Sequence, residues 1–410
     1  MDAWRGLPGC DAPFDRSEDI AMNVTVERRG LQLDLEPAIA AVLDRRQKNR
    51  KRGPYRPREE AEIQGLLQSF VAAQPGYAQS EVTQVKRLSG GASKEQFSFM
   101  VAGKAVAAER MVLRMDPLES VVETSREREF QALRAFDGRV PVPKAVWLDA
   151  DGSHFKAPTI ITNFVNGVTR PSGAPTANVS GLGLNIGAEW RDEIGQQFLT
   201  HLIEIHRMEW NADSLSAFAL PNADPQQAAR WQIDWWTRVW LEDAVEANPM
   251  LAVIEGWLRD NIPPCHDYVF CHNDYRSGNY LIDEQARSIS AVLDWEMAHF
   301  GDFHDDLSGI IVKVFGHPDE KGEFLVSGLM PRQAFLERYM ELSERIVNPQ
   351  TLHYYEVLNN YKSLVIILAT AYRIAVERHN HQNILQTWLV PCAHVFLAEI
   401  CRLLDEGCRQ

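Results

Sequence analysis

Along this chain the spacing of apolar residues changes once, and the change divides it in two. From residue 81 the runs 82–88, 96–102 and 110–115 are short and β-prone, separated by Gly90-Gly91 and by a segment containing Gly103, the pattern of an antiparallel meander. A charged helical stretch over 122–136, with Phe130, Leu133 and Phe136 on one face, and a hairpin of 145–149 with 159–165 across Asp151-Gly152 complete this part. After residue 190 nearly everything has helical spacing: 190–208, 225–247, 249–261, 307–314, 331–347, 352–379 and 385–404, interrupted by 269–294. A small β-rich lobe followed by a large helical one is an α+β plan. It divides the chain into an N-terminal extension (1–60), a first lobe (61–167) entered through a helix over 59–74, and a helical lobe (168–410).

The extension carries an apolar piece at 31–43 and then the basic run Arg45, Arg46, Lys48, Arg50, Lys51 and Arg52, which reads as a solvated helix face or linker. Residues 167–187 are rich in Gly, Pro, Ser, Ala and Thr and read as a mobile connector with little apolar sequence to anchor it. A net charge of −14 over 410 residues disfavours nonspecific nucleic-acid binding. The apolar stretch at 364–372 falls short of the roughly 20 residues that cross a bilayer, so no membrane span is expected. The first twenty residues lack the apolar core of a signal peptide, and the six cysteines form no C-x-x-C pair; both suggest a reducing, cytoplasmic setting.

The densest chemical signal is Cys271-His272-Asn273-Asp274-Tyr275-Arg276-Ser277-Gly278-Asn279, followed by two apolar runs ending in Asp294-Trp295-Glu296. The runs flank a polar turn at 285–288 and make a hairpin. Symmetric pairing about that turn sets Ile282 opposite Ala291 and Asn279 opposite Asp294. An amide oxygen and a carboxylate at one hairpin end suit Mg²⁺, a hard cation that takes oxygen ligands. Asp274, unpaired on the loop leading in, is free to orient or deprotonate an incoming hydroxyl.

These residues match the H-x-D-x-x-x-x-N loop and following metal-binding Asp of kinase-like phosphotransferases. Over roughly 82–404 the sequence resembles the aminoglycoside phosphotransferases and their choline-kinase and homoserine-kinase relatives. The resemblance implies a two-lobed protein-kinase-like fold, with a small antiparallel β-sheet N-lobe and a large helical C-lobe, ATP and Mg²⁺ as cofactors, and a small-molecule hydroxyl acceptor. It makes Gly90, Gly91 and Ser93, with Lys94, the phosphate-covering loop, and puts Arg114 where kinases carry a phosphate-binding Lys. Glu129, with Glu127 as runner-up, becomes the partner of Arg114. Asn163 and Val165 fall in the interlobe hinge, whose backbone groups bind adenine. Asp274 takes the catalytic role and Asn279 and Asp294 the metal, with Glu296 as a candidate for a second ion. His272 and Asp302 become supports of the loop, and Asn273 replaces the usual glycine, a position where Asn tolerates left-handed backbone.

A finer resemblance, in Ser89-Gly90-Gly91-Ala92-Ser93, Leu113-Arg114, Arg230-Trp231 and Asp294-Trp295-Glu296-Met297-Ala298-His299, is to the branch that includes the kinase-like domains of acyl-CoA dehydrogenase fusion proteins. It favours a metabolite hydroxyl, including that of an acyl-CoA-linked hydroxy acid, over an antibiotic as acceptor. An aminoglycoside kinase and a nucleotide-binding pseudokinase are the alternatives. Glu337, Glu341 and Glu344 share a helix face by spacing and read as solvated; Trp231, Trp235, Trp236 and Trp240 read as core, and His379 and His381 as a polar helix end.

Overall fold

The structure, a computed structural model, describes residues 33–407 apart from 51–53, 89, 90, 92, 105 and 175–181. Two helices, α1 (Pro37–Asn49) and α2 (Glu60–Ala72), precede the strands β1 (Ser80–Arg87), β2 (Glu95–Gly103) and β3 (Val106–Met115). Helix α3 (Arg126–Phe136) and strands β4 (Ala145–Asp149) and β5 (Thr159–Asn163) follow, and the five strands form one antiparallel sheet in the order β1-β2-β3-β5-β4. Phe97, Phe99 and Val101 on β2 and Met111, Leu113 and Met115 on β3 alternate onto one face, as a period of two requires. There they meet Ile63, Leu67 and Val71, one stripe of α2 at four-residue spacing.

The second lobe begins with α4 (Ala188–His206), α5 (Gln227–Asp243) and α6 (Pro249–Asp260). Short strands β6 (Val269–Cys271), β7 (Tyr280–Asp283), β8 (Ser288–Val292) and β9 (His299–Gly301) come next, pairing as β6 with β9 and β7 with β8. Helix α7 (Phe303–Ile311), a small sheet of β10 (His317–Pro318), β11 (Phe324–Val326) and β12 (Met330–Pro331), and α8 (Arg332–Ser343), α9 (Pro349–Val365), α10 (Tyr372–Glu377), α11 (Asn383–Leu389) and α12 (Ala393–Gly407) complete it. Trp235 and Trp236 stack at 5.0 Å within the core that α5, α6, α9 and α12 share. The two lobes make the α+β, kinase-like architecture anticipated from the change of period.

Several elements differ from the sequence expectation. The helix read over 122–136 begins only at Arg126, because Ser125 caps it by accepting from the Arg128 N–H; residues 119–124 are a buried loop instead. The run 352–379 holds a π-helical turn, Ile366–Ala371, between α9 and α10. The stretch 383–407, rather than 364–372, has the length and apolar character of a membrane span. It is broken at Val390–Cys392, where Pro391 interrupts the ladder, and α12 sends Phe396, Ile400 and Leu403 into the core shared with α9.

The extension corrects a second expectation. Ile39 and Leu43 of α1 enter the core of the helical lobe, and Arg46, 2% exposed, bonds Asp243 at 2.6 Å rather than solvent. Arg50 binds Asp243 and, at 2.6 Å, the carbonyl of Glu242; Lys51 and Arg52 lie outside the described residues. The connector is likewise anchored in its described parts. Val168 bridges to Ile282, and Leu184 and Ile186 are buried, while 175–181 fall outside the described residues.

Candidate active site

The hairpin β7–β8 carries the loop chemistry, but its register is not the symmetric one. Tyr280 pairs with Val292 and Leu281 with Ala291; a bulge then shifts Ile282 onto Ile289. Asn279 therefore lies beside Leu293, whose N–H reaches its carbonyl at 2.8 Å. Asp294 comes one residue later, at φ +66°. That left-handed residue turns the chain out of the strand into the short turn Trp295–Met297, so backbone conformation rather than cross-strand pairing presents its carboxylate.

Asp274 is not unpaired. Arg276 Nε donates to its Oδ1 at 2.6 Å and Asn279 Nδ2 to its Oδ2 at 2.5 Å, and the Arg276 guanidinium lies 4.4 Å from the Phe315 ring centroid. With 24% of its side chain exposed, Asp274 still has its carboxyl pushed up, first by burial and then by the charge of Asp294, against the pull of Arg276. A carboxylate raised in this way is a better proton acceptor than a solvated one.

The loop is held from below by Asp306 on α7. Its two oxygens accept the His272 N–H at 2.8 Å and the Asn273 N–H at 2.6 Å, and His206 Nε2 lies 3.1 Å away. Burial alone would raise Asp306, but the hydrogen bond with His206 outweighs it and holds it low. This support was expected of Asp302, which instead caps α7 through the His304 N–H and pairs with His304 Nδ1 at 2.6 Å. The two acids lie four residues apart, and only the packing of α7 under β6 decides which one reaches the loop. His272 is buried with its pKa lowered, chiefly by desolvation. Its Nε2 donates to the Leu293 carbonyl at 3.0 Å, tying the loop to the residue before Asp294. Asn273 has φ +64°, and Lys362 bonds its Oδ1 at 3.2 Å and both oxygens of Asp305 at 3.0 Å.

On the other side of the cleft Arg114 of β3 pairs with Glu129 of α3, and its Nη2 reaches Asp294 Oδ1 at 2.9 Å. Glu129 is fully buried, and its second oxygen is held by Arg126. Arg126 continues to Glu296 at 2.9 Å, which Thr124 also bonds at 3.1 Å. Burial would raise Glu296, but Lys94, Arg126 and Arg114 outweigh it and hold it down to about 2. Glu296 is thus paired with two cations, Lys94 and Arg126, which argues against a second-metal role. Lys94 is also reassigned: 1% exposed, it binds Ser120 at 2.7 Å, Asp116 at 3.2 Å and Glu296 at 3.3 Å, inside the protein rather than toward a phosphate.

Gly90 lies outside the described residues. Gly91 has φ +80°, and a Cβ there would meet Gln96 Nε2 at 2.7 Å. Ser93 is half-buried and close enough to Glu296 to help keep it ionised. Asn163 spends its side-chain oxygen on the Lys144 N–H at 2.6 Å. Val165 is half-buried, two residues on; beyond it, Ser290 Oγ bonds the Asn166 carbonyl at 2.9 Å and Val168 bridges to Ile282, so this segment runs directly onto the β7–β8 hairpin. The structure thus forms two contact groups, Asp274 with Asn279 and Asp294 with Arg114 and Glu129, joined through the Leu293 N–H on the Asn279 carbonyl. Arg126 was not singled out from sequence, and Arg276 and Asp306 were quoted within the matched motifs but given no role. The helix expected to gather Glu337, Glu341 and Glu344 ends at Ser343, and Glu344 turns left-handed at φ +61°, so the three do not share a face. Glu119, Glu377 and His379 approach one another, but Arg373 sits among them, paired with both carboxylates.

A cavity of about 580 Å³ lies at the ends of α3 and α4 among Arg139, Arg207 and Trp210, and none of the loop residues line it. A smaller one, about 70 Å³, is lined by Lys313, Phe324, Arg332, Glu356, Glu399 and Arg402 among others. The turn Lys313–Phe315 joins it to Arg276.

A model of the APH phosphotransferase enzyme family matches residues 84–339. Among curated proteins, the chain is 26% identical over 231 residues to the probable acyl-CoA dehydrogenase IBR3 of Arabidopsis thaliana, and 24% identical over 206 residues to mouse (Mus musculus) acyl-CoA dehydrogenase family member 10. The matches take 53% and 50% of this chain but only 26% and 18% of those proteins' own lengths. Among solved structures, a Ralstonia eutropha protein assigned to the aminoglycoside phosphotransferases superposes with a TM-score of 0.57 at 19% identity, covering 83% of this chain and 97% of its own. A thermostable mutant of aminoglycoside phosphotransferase APH(4)-Ia, in ternary complex with AMP-PNP and hygromycin B, gives 0.52 at 15% identity, over 82% and 98%.

Proposed function

Since the chain belongs to the phosphotransferase enzyme family, we propose that it moves the γ-phosphate of ATP, with Mg²⁺, to a hydroxyl of a small molecule. The observation that carries this reading is the pair of contact groups at one hairpin end, Asp274–Asn279 on the loop and Asp294–Arg114–Glu129 beside it. The groups present suit the cofactors. Asp294 has 31% of its side chain exposed and, with the oxygen of Asn279, offers an all-oxygen donor set suited to Mg²⁺. The Arg114 Nε–H is buried without a partner, a donor left for a phosphate oxygen. When bound by Asn279 and Asp294, Mg²⁺ supplies neutralisation of the phosphate charge.

The chain's own residues then do the rest. Asp274, its proton affinity raised by burial, orients the acceptor hydroxyl and takes its proton. Arg276 and Asn279 hold the Asp274 carboxylate in one orientation, and Asp306 fixes the backbone beneath it. Catalysis in this reading is alignment and charge stabilisation in a preformed site.

For the acceptor, we favour a metabolite hydroxyl over an aminoglycoside, in line with the acyl-CoA dehydrogenase family relatives. Incubation with γ-labelled ATP and a panel of hydroxy acids, their thioesters and aminoglycosides tests the reading. Efficient transfer to an aminoglycoside, with kcat/KM of roughly 10⁴ M⁻¹s⁻¹ or more, would refute the acceptor class. Absence of nucleotide binding would refute the whole proposal.

A further inference from the structure

The residue preceding α1 reaches the first turn of α3. Glu36, 5% exposed, bonds Arg128 Nη1 through Oε2 at 2.7 Å and accepts the Ala219 N–H through Oε1 at 2.9 Å. Arg128, 2% exposed, gives its other Nη to the Ala298 carbonyl at 2.6 Å and lies 4.5 Å from the Phe218 ring centroid. Four segments therefore meet on one ion pair: the start of α1, the first turn of α3, the chain just after Asp294, and residues 218–219. Glu36 lies upstream of the region matched to the family, 84–339.

Arg128 is the residue before Glu129. Successive residues on a helix point about 100° apart, so the two side chains face different neighbours while sharing one backbone, and fixing the direction of one fixes the other. An apolar pair could fill the same space, but it would specify no rotation, whereas a guanidinium held at both Nη atoms does. The base on which Glu36 stands is itself fixed. Ile39 and Leu43 are in the core, and Arg46 is bonded to Asp243 at 2.6 Å.

We propose that Glu36 is a positioning residue, which by clamping Arg128 sets the rotation of α3 that keeps Glu129 on Arg114. Its effect on catalysis rests on the nucleotide reading above; its effect on α3 does not. Three measurements separate the two. Wild-type affinity for Mg-AMP-PNP, by titration, tests the nucleotide reading alone. Amide exchange of residues 126–136 tests the clamp without any ligand. The third is the KM for ATP against kcat.

Glu36→Gln keeps the size and one acceptor but loses the charge facing Arg128. It should speed exchange in α3 and raise the KM for ATP about tenfold, the order expected from losing one charge-assisted bond, with a smaller change in kcat. Ile400→Ala, which thins the core of the helical lobe at α12, should lower thermal stability yet leave both readouts as in the wild type. Glu36→Asp keeps the charge but withdraws it, and should shift both readouts in the same direction by less; it serves if the Gln variant does not fold. Unchanged α3 exchange and KM in the Glu36 variants, or equal changes in Ile400→Ala, would overturn the proposal.

Discussion

Replacing Asp306 by Asn puts an NH₂ group where both oxygens already accept. Oδ1 takes the Asn273 N–H at 2.6 Å, and Oδ2 takes the His272 N–H at 2.8 Å with His206 at 3.1 Å. Whichever way the amide turns, its donor faces a backbone donor, and Asp306 is 2% exposed, so water does not replace the lost acceptor. A hydrogen bond to a charged group contributes about 1.5–3 kcal/mol and an unsatisfied buried donor costs about 1–3 kcal/mol, which together make about 3–5 kcal/mol. For a chain this large that is a fall in Tm of roughly 4–6 °C. The two amides lie immediately before Asp274, so the loop should relax away from its working position, and a displacement near 1 Å lowers turnover by about 10²-fold. Differential scanning calorimetry and steady-state kinetics on the purified variant read both numbers. Asp302→Asn is the internal comparison. Asn caps a helix as well as Asp does, so only the pairing with His304 is lost, with an expected change of about 1 kcal/mol. An Asp306→Asn enzyme with wild-type Tm and kcat, or one no worse than Asp302→Asn, would refute the reasoning.

Asp274→Ala should lower kcat by about 10³-fold with little change in ATP affinity, since its role is confined to the acceptor hydroxyl; near-normal kcat in a folded variant would contradict the assignment. Asp294→Asn should shift the Mg²⁺ dependence of nucleotide affinity to higher concentration, because a charged ligand is lost, and an unshifted titration would count against the metal site. Glu119 and Glu296 are both held down to about 2, against the effect of burial, by Arg373 and His379 in one case and by Lys94 and Arg126 in the other. Depressed carboxyls contribute stability that is present above the ordinary carboxylate range and lost as pH falls toward 2, on the order of 3 kcal/mol each. Thermal melts between pH 7 and pH 3 should therefore show a steep fall below about pH 5, and a flat profile would mean that these pairs do not carry that stability.

How far the sequence reaches is visible residue by residue. The meander, the helical lobe and the grouping of Asp274 with Asn279 and Asp294 were legible because each depends on near neighbours: a period of two, a period of 3.6, or one hairpin spanning some twenty residues. Even there the register was off, since a bulge between Leu281 and Ile282 and the left-handed backbone at Asp294 are single-residue events that leave little trace in a hydrophobic pattern. Charged residues were hardest to place. Arg46 looked like one of six exposed cations, yet its partner Asp243 lies 197 positions away. Lys94 looked like a phosphate contact, yet Asp116 and Glu296 draw it inward. Asp302 and Asp306 were indistinguishable until α7 was packed under β6. The sequence alone determined the fold class and which local group of oxygens could do the chemistry, because apolar periodicity and loop spacing act over a few turns of chain. Only the tertiary structure decided which charges face the cleft and which are consumed in the interior, because a buried charge is stable only beside a partner, and that partner comes from wherever the fold brings one.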